Sequence, residues 1–215
     1  MVAHNKIIDR SVYEALVYES GRRLTSYHYQ ISKIVEGIQP GTRVLNVGMG
    51  AGFVKWYLKN RLKLEFDYYD LDIDGLLQPD FIGSVESIPV ESSSLDVVLC
   101  CQVLEHLTYV SFDGALSEIS RVLVPNGKFV LSLPNGGFYI KVELRLPKFA
   151  MKKLMPLSFM QLRHHPNASQ HYWELDRKGT SVKKVRNKIL DYFNIEHEDR
   201  LFDNPYHHFF ICTKK

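Results

Sequence analysis

Cysteine is scarce. Cys100, Cys101 and Cys212 are the only three in 215 residues, and all sit in apolar, strand-like runs. No pair has the spacing of a zinc or dithiol redox site, so the expectation is buried, reduced thiols in a cytoplasmic protein. Long apolar runs are missing too. No stretch of about 18 apolar residues exists, so no transmembrane helix is expected, and the N-terminal MVAHNKIIDR has no apolar signal core. Net charge is only +3, too small to imply nucleic acid by itself. There is no internal repeat and no low-complexity tract. What remains is an ordinary globular composition, 45% hydrophobic and 24% charged. The length suits one sizeable domain, able to bury roughly 70% of its unfolded surface without a metal or disulfide staple.

Residues 11–37 are predicted to form a helix or a pair of helices, stopped by Gly37 and Pro40-Gly41. RVLNVG then reads as a strand, 52–61 as a helix, LEFDYYDLDI (64–73) as a second strand and PDFIGSV as a short third one near 80–85. SLDVVLCCQV (94–103) is β-branched, apolar and nearly uncharged, the pattern of a strand buried on both faces. A helix over 109–123, a turn at Pro125-Asn126-Gly127 and a strand over 128–133 follow. Beyond Pro134 the pattern loosens. Residues 137–163 carry six Lys/Arg against one acid, Glu143, a net of +5, with aromatics and methionines interleaved. A helix is expected over 180–193. Strands over 194–202 and 207–214 are too close for a crossover, so they should pair as an antiparallel hairpin. Alternating strands and helices imply a parallel sheet covered on both faces. Such sheets bind ligands at the carboxyl ends of their strands.

VLNVGMGAGF places Gly48, Gly50 and Gly52 where the first strand ends. Bare backbone there turns tightly and approaches a ligand closely, and the following helix offers free N–H groups to a carboxylate or phosphate. The dinucleotide fingerprint G-x-G-x-x-G would need glycine at Phe53, and no Lys-Ser/Thr follows as in a P-loop. A nucleotide-dependent oxidoreductase is therefore disfavoured. Asp72 lies 20 residues after Gly52 at the end of DYYDLDI, the position from which an acid takes two ribose hydroxyls.

VLNVGMGAGF, YYDLDID, FIGSVESIPV, SLDVVLCCQVLEHL and RVLVPNGKFVLSLPN, in that order over about 40–135, resemble the class I S-adenosylmethionine-dependent methyltransferases, most of all their "type 11" branch. The resemblance implies an α/β, Rossmann-like three-layer αβα sandwich with a mainly parallel seven-stranded sheet and an antiparallel last strand. It implies one domain over 1–215: a helical cap (1–40), a donor-binding core (41–135), an acceptor-side lid (136–175) and a C-terminal helix with a strand pair (176–215). S-adenosylmethionine would be the methyl donor and S-adenosylhomocysteine the product. Gly48, Met49 and Gly50 would wrap its methionine part, Asp72 would hold the ribose and Ile73 would pack on the adenine. Ser84 and Val85 would meet the adenine edge, and Cys101 and Gln102 would lie beside the methionine and sulfonium. Two positions depart from the family. Asn46 replaces its usual Asp or Glu, and Ser84 replaces the acid that accepts from the adenine amine.

Methyl transfer needs a base only when the acceptor must lose a proton. His106, His171 and Tyr172 are the candidates on the acceptor side. The Asp/Asn-Pro-Pro-aromatic motif of enzymes that methylate nucleic-acid base amines is absent, its place reading CCQV. The expected acceptor is a small molecule or a glycan- or lipid-linked one, methylated at oxygen. The basic segment 137–171 suits an anionic or amphipathic acceptor. An RNA methyltransferase and a non-catalytic donor-binding regulator are the alternatives. His164, His165, His171, His207 and His208 have no firm ligand spacing, so no metal is expected. In the N-terminal cap, Tyr18, Arg22 and Tyr27 are expected near the donor, with an Arg meeting its carboxylate.

Overall fold

The computed structural model describes residues 21–157 and 170–215. The expected helical stretch 11–20, Tyr18 within it, and Arg163, His164 and His165 lie outside the described residues. Among the described residues the first element is α1 (Gly21–Val35), whose buried Ser26, Gln30, Ile31 and Ile34 recur at helical spacing. β1 (Arg43–Val47) follows, then a single α-turn, α2 (Phe53–Trp56), that runs into a π-helical turn over Tyr57–Arg61. Next come β2 (Asp67–Asp72), the short β3 (Phe81–Ile82) and β4 (Leu95–Cys101). α3 (Phe112–Val122) leads into β5 (Leu123–Pro134). The chain ends on α4 (Val182–Tyr192), β8 (Phe193–Arg200) and β9 (His207–Lys214); β6 and β7 form a separate ribbon described below.

Seven strands form one sheet in the order β3-β2-β1-β4-β5-β9-β8. The first five pair in parallel, and β9 runs antiparallel to both β5 and β8. The last strand is thus the antiparallel one, inserted between its neighbours rather than added at the edge.

The alternation of side chains along each strand builds the layers. Val44, Val97, Leu99 and Val130 join Ile31 and Ile34 of α1 and Val54 and Leu58 in one core. Leu45, Val98, Cys100, Phe129 and Leu131 join Phe112, Leu116 and Ile119 of α3 and Val185 and Ile189 of α4 in the other. Every second residue of β1, β4 and β5 goes to the opposite face, so both faces are apolar and these strands read as unbroken hydrophobic runs.

Residues 137–157 differ from the irregular segment expected. β6 (Tyr139–Leu146) and β7 (Phe149–Pro156) pair antiparallel in a two-stranded ribbon of their own, turning at Pro147-Lys148. No residue of either strand is buried. A ribbon with both faces in solvent lacks the period-two alternation that marks a half-buried strand, so the sequence pattern does not betray it. Lys141 and Lys152 each lie 5.1 Å from the ring of Phe202, and Arg200 lies 4.9 Å from that of Tyr139, tying the ribbon's base to the β8–β9 connection.

His207 opens β9 and is only 6% exposed, with no hydrogen-bond partner for Nδ1 among the described residues. Burial, reinforced by the charge of Arg23, lowers its pKa to about 3. The unfolded imidazole takes up a proton near pH 6.5 while the folded one does not, so its contribution is complete above pH 6.5. That contribution is lost as pH falls from 6.5 toward 3, by up to about 1.4 kcal/mol per pH unit. Denaturation of His207→Phe between pH 6.5 and 4 should show a shallower fall in stability than the parent. An equal slope in the two proteins would refute the assignment.

Candidate active site

The loop after β1 is held by its neighbours. Gly48, Gly50 and Gly52 have φ of 80°, 55° and 71°, in the left-handed region that favours glycine. A Cβ on Gly48 would stand 2.4 Å from Cγ2 of Val103, so a side chain there is excluded by packing as well. The Gly48 N–H donates to the Leu71 carbonyl at 2.8 Å, and the Met49 N–H donates to Oδ2 of Asp72 at 2.9 Å. Oδ1 of Asp72 accepts from the Asp74 N–H at 3.0 Å. The Asp72 carboxylate is thereby oriented at the strand ends before any ligand arrives.

A cavity of about 270 Å³ opens over these ends. Asn46, Gly48, Met49 and Gly50 line it from the first loop, and Asp72 and Ile73 from the second. Ser84, Val85, Cys101 and Gln102 line it from the strand ends beyond, and His106 and His171 from its far side. Tyr172 is not among the lining residues. Its backbone N–H is tied to the Glu105 carbonyl at 2.8 Å, and its ring is 43% exposed. None of the described residues 137–157 lines the cavity; from the expected lid, Gln170 and His171 do. From α1 the lining arginine is Arg23 rather than Arg22, with Tyr27 stacked on Phe53 at 4.9 Å.

Asn46 has a structural reason. Its Nδ2 donates to Oδ1 of Asp70 at 2.9 Å across the β1–β2 pair. Asp70 is 1% exposed, and its Oδ2 meets Nζ of Lys55 at 2.9 Å, which also reaches Asp80 at 2.8 Å. A carboxylate at position 46 would face a buried carboxylate. Gln102 sits at φ 60°, its N–H bonded to the Ser132 carbonyl at 2.9 Å and its Nε2 to the Ser132 hydroxyl at 3.2 Å. Burial pushes the Cys101 thiol up to about 12, so it enters the cavity wall as a neutral group and not as a nucleophile.

The far end of the cavity holds groups that the motif reading did not single out. Glu105 lies in the 3₁₀ turn Leu104–His106, is 0% exposed, and neither carboxyl oxygen has a hydrogen-bond partner among the described residues. Burial drives its pKa up to about 8; the residue's own backbone amide and the charge of Arg23 oppose the rise, and the charge of Glu174 adds to it. His106 and His171 meet edge to face, ring centroids 5.0 Å apart. Behind His171, Glu174 is fully buried: Oε1 takes Nδ1–H of His171 at 3.0 Å and the Tyr206 hydroxyl at 2.5 Å, and Oε2 takes Arg177. Glu105 stood inside the LEH signature and was legible as a neighbour of His106. Glu174, Arg177 and Tyr206 carried no local signal, because only folding brings them together.

Residues 45–131 match the family model described as a methyltransferase domain. An uncharacterized protein of Methanocaldococcus jannaschii is 29% identical over 122 residues, which cover 54% of this chain. The match spans about half of that protein, 52% of its length. Among solved structures, a SAM-dependent methyltransferase from Aquifex aeolicus is similar with a TM-score of 0.60 at 16% identity, covering 97% of this chain and 100% of that one. The Burkholderia thailandensis 1,6-didemethyltoxoflavin-N1-methyltransferase, solved with 1,6-didemethyltoxoflavin and S-adenosylhomocysteine, is similar with a TM-score of 0.59 at 13% identity. That match covers 95% of this chain and 84% of the other. At these identities the likeness to solved structures is one of fold.

Asn46→Asp, which restores the acid usual in the family, should lower stability at pH 7 by about 1–3 kcal/mol. It removes a donor from buried Asp70 and sets a like charge against it. Urea denaturation at pH 7 measures this; an unchanged or higher midpoint would contradict the account of Asn46.

Proposed function

We propose, for a chain whose residues 45–131 match a methyltransferase-domain family model, that it is a class I enzyme methylating an oxygen of a small-molecule acceptor with S-adenosylmethionine. One observation carries the reading. A single cavity is lined both by the glycine loop with Asp72 and by Glu105, His106 and His171. When bound, S-adenosylmethionine supplies a methyl group already activated on a sulfonium.

The residues present fit that donor. Gly48 and Gly50 offer bare backbone, and with Met49 would back its methionine part. Asp72, oriented by two backbone N–H groups, would accept from both ribose hydroxyls. Ile73, Ser84 and Val85 would line the adenine, and Cys101 and Gln102 the methionine and sulfonium. Asn46 spends its amide N–H on Asp70, which leaves its carbonyl oxygen for the donor's ammonium. The protein's tasks are to align acceptor and methyl and to exclude water. A hydroxyl acceptor must also lose a proton, and the imidazoles of His106 and His171 are the groups at hand. Tyr172 does not line the cavity.

The fold shared with the Burkholderia enzyme, solved with a small molecule, supports a small-molecule acceptor. None of the described residues of the basic β6–β7 ribbon lines the cavity, and a glycan- or lipid-linked acceptor would be the larger variant that reaches it. Among the described residues no helix is long and apolar enough to cross a membrane.

Calorimetric titration with S-adenosylmethionine and S-adenosylhomocysteine tests the donor half. Binding at micromolar concentration, about −8 kcal/mol, should weaken by roughly 100-fold or more in Asp72→Ala, which loses two charge-assisted hydrogen bonds. No heat from either compound at millimolar concentration would sink the reading. Release of S-adenosylhomocysteine over a panel of hydroxylated small molecules then separates an enzyme from a donor-binding protein without turnover.

A further inference from the structure

We propose that Glu105, His106 and His171 form a binding site for one divalent first-row transition cation at the acceptor end of the cavity. The three belong to two distant stretches of chain, and one ligand atom from each lies within 4.8 Å of the others. Around a cation with bonds near 2.1 Å, ligand atoms stand roughly 3 to 3.4 Å apart. Binding would draw the three side chains together by rotation to close that difference.

Three independent features of the surroundings point to a cation. The first is Glu105. A fully buried carboxyl without a hydrogen-bond partner among the described residues is an expensive group to keep. Arg23 acts on it only at Coulombic range. A ligated cation would satisfy both its charge and its lone pairs.

The second is the tethering of the two imidazoles. Nδ1 of His106 donates to the Gln170 carbonyl at 2.8 Å, and Nδ1 of His171 donates to the Glu174 carboxylate at 3.0 Å. Acceptors at Nδ1 place the proton there and the lone pair on Nε2, the tautomer a metal requires. Metal-bound histidines characteristically donate their other N–H to a carbonyl or carboxylate in this way. Glu174 is in turn fixed by Arg177 and Tyr206.

The third is placement. All three ligands line the same cavity as the glycine loop. Three protein ligands leave coordination positions open toward it, as in catalytic rather than structural sites. Two imidazoles and one carboxylate favour Zn²⁺, Co²⁺, Mn²⁺ or Fe²⁺ over Mg²⁺ and Ca²⁺, which prefer all-oxygen shells.

The use of the cation in catalysis rests on the proposed methyl transfer; the site itself does not. A hydroxyl acceptor bound at an open position would lose its proton to solvent near neutral pH, as cation-bound water does. Its oxygen lone pair would form the bond to the methyl carbon as the carbon–sulfur bond breaks, that electron pair returning to sulfur. The cation neither gains nor loses an electron. His171 would then act as a ligand rather than as the base.

The test uses chelator-treated whole protein titrated with Co²⁺ by absorption and with Zn²⁺ by calorimetry. S-adenosylmethionine binding is measured on the same samples. One equivalent of Co²⁺ should bind with visible d–d bands and micromolar or tighter affinity. Affinity should fall at least tenfold in Glu105→Gln and in His171→Asn, and about tenfold in Glu174→Gln, which only loosens His171. No spectral change or heat with either cation up to 1 mM, on the order of −4 kcal/mol, would overturn the proposal. So would binding of equal strength in all three variants. Donor binding without cation binding refutes the cation site alone. Cation binding without donor binding refutes the donor reading alone.

Discussion

The structure hinges on how the loop after β1 closes against its two neighbours. Its first amide bonds the Leu71 carbonyl, its second bonds the Asp72 carboxylate, and Gly48 packs against Val103. The ends of β1, β2 and β4 are therefore one mechanical unit, although they are far apart in the chain. That unit sets the floor of the cavity and orients the Asp72 carboxylate, which lines it together with Asp74. The constraint also explains a positive φ at Gln102, since the chain leaving β4 has to bend sharply for Val103 to reach Gly48.

The opposite end of the cavity is built differently. There the segment from Gln170 runs alongside the 3₁₀ turn, the Tyr172 N–H bonding the Glu105 carbonyl. Trp173 donates its indole N–H to the Leu107 carbonyl at 3.2 Å and packs edge-on to Tyr109 and Phe112. The Leu175 N–H bonds the Pro134 carbonyl, and Leu175 bridges Asn135 beyond the end of β5. This anchoring holds His171 against Glu105 and His106. A cluster of ionisable groups is costly to bury, and the tethers to Gln170, Glu174, Arg177 and Tyr206 offset that cost. The family match covers residues 45–131, so it includes Glu105 and His106 but not the segment that completes the cluster.

Legibility in the sequence follows the range of the interactions. The alternation of β4 between two cores leaves a long apolar run, so the strand was readable from Ser94 to Val103 with a small overrun. The glycines and Asp72 announced themselves because a left-handed loop and a strand-end acid need particular residues at a fixed spacing. The ribbon β6–β7 was not readable, because with both faces in solvent it has no hydrophobic period. The reason for Asn46 was not readable from its own neighbourhood. Its cause is Asp70, 24 residues away in the chain and adjacent in the sheet.

By itself the amino-acid sequence determined the parallel sheet, its order of strands and helices, and the bare loop with Asp72 beside it. These depend on side-chain periodicity and backbone freedom, which are properties of neighbouring residues. Only the tertiary structure decided the far end of the cavity. It placed Tyr172 outside, brought Arg23 rather than Arg22 to the wall, and set Glu105 and Glu174 in the interior around His171. Burial and pairing of charges are cooperative outcomes of packing between distant segments, and no local pattern encodes them.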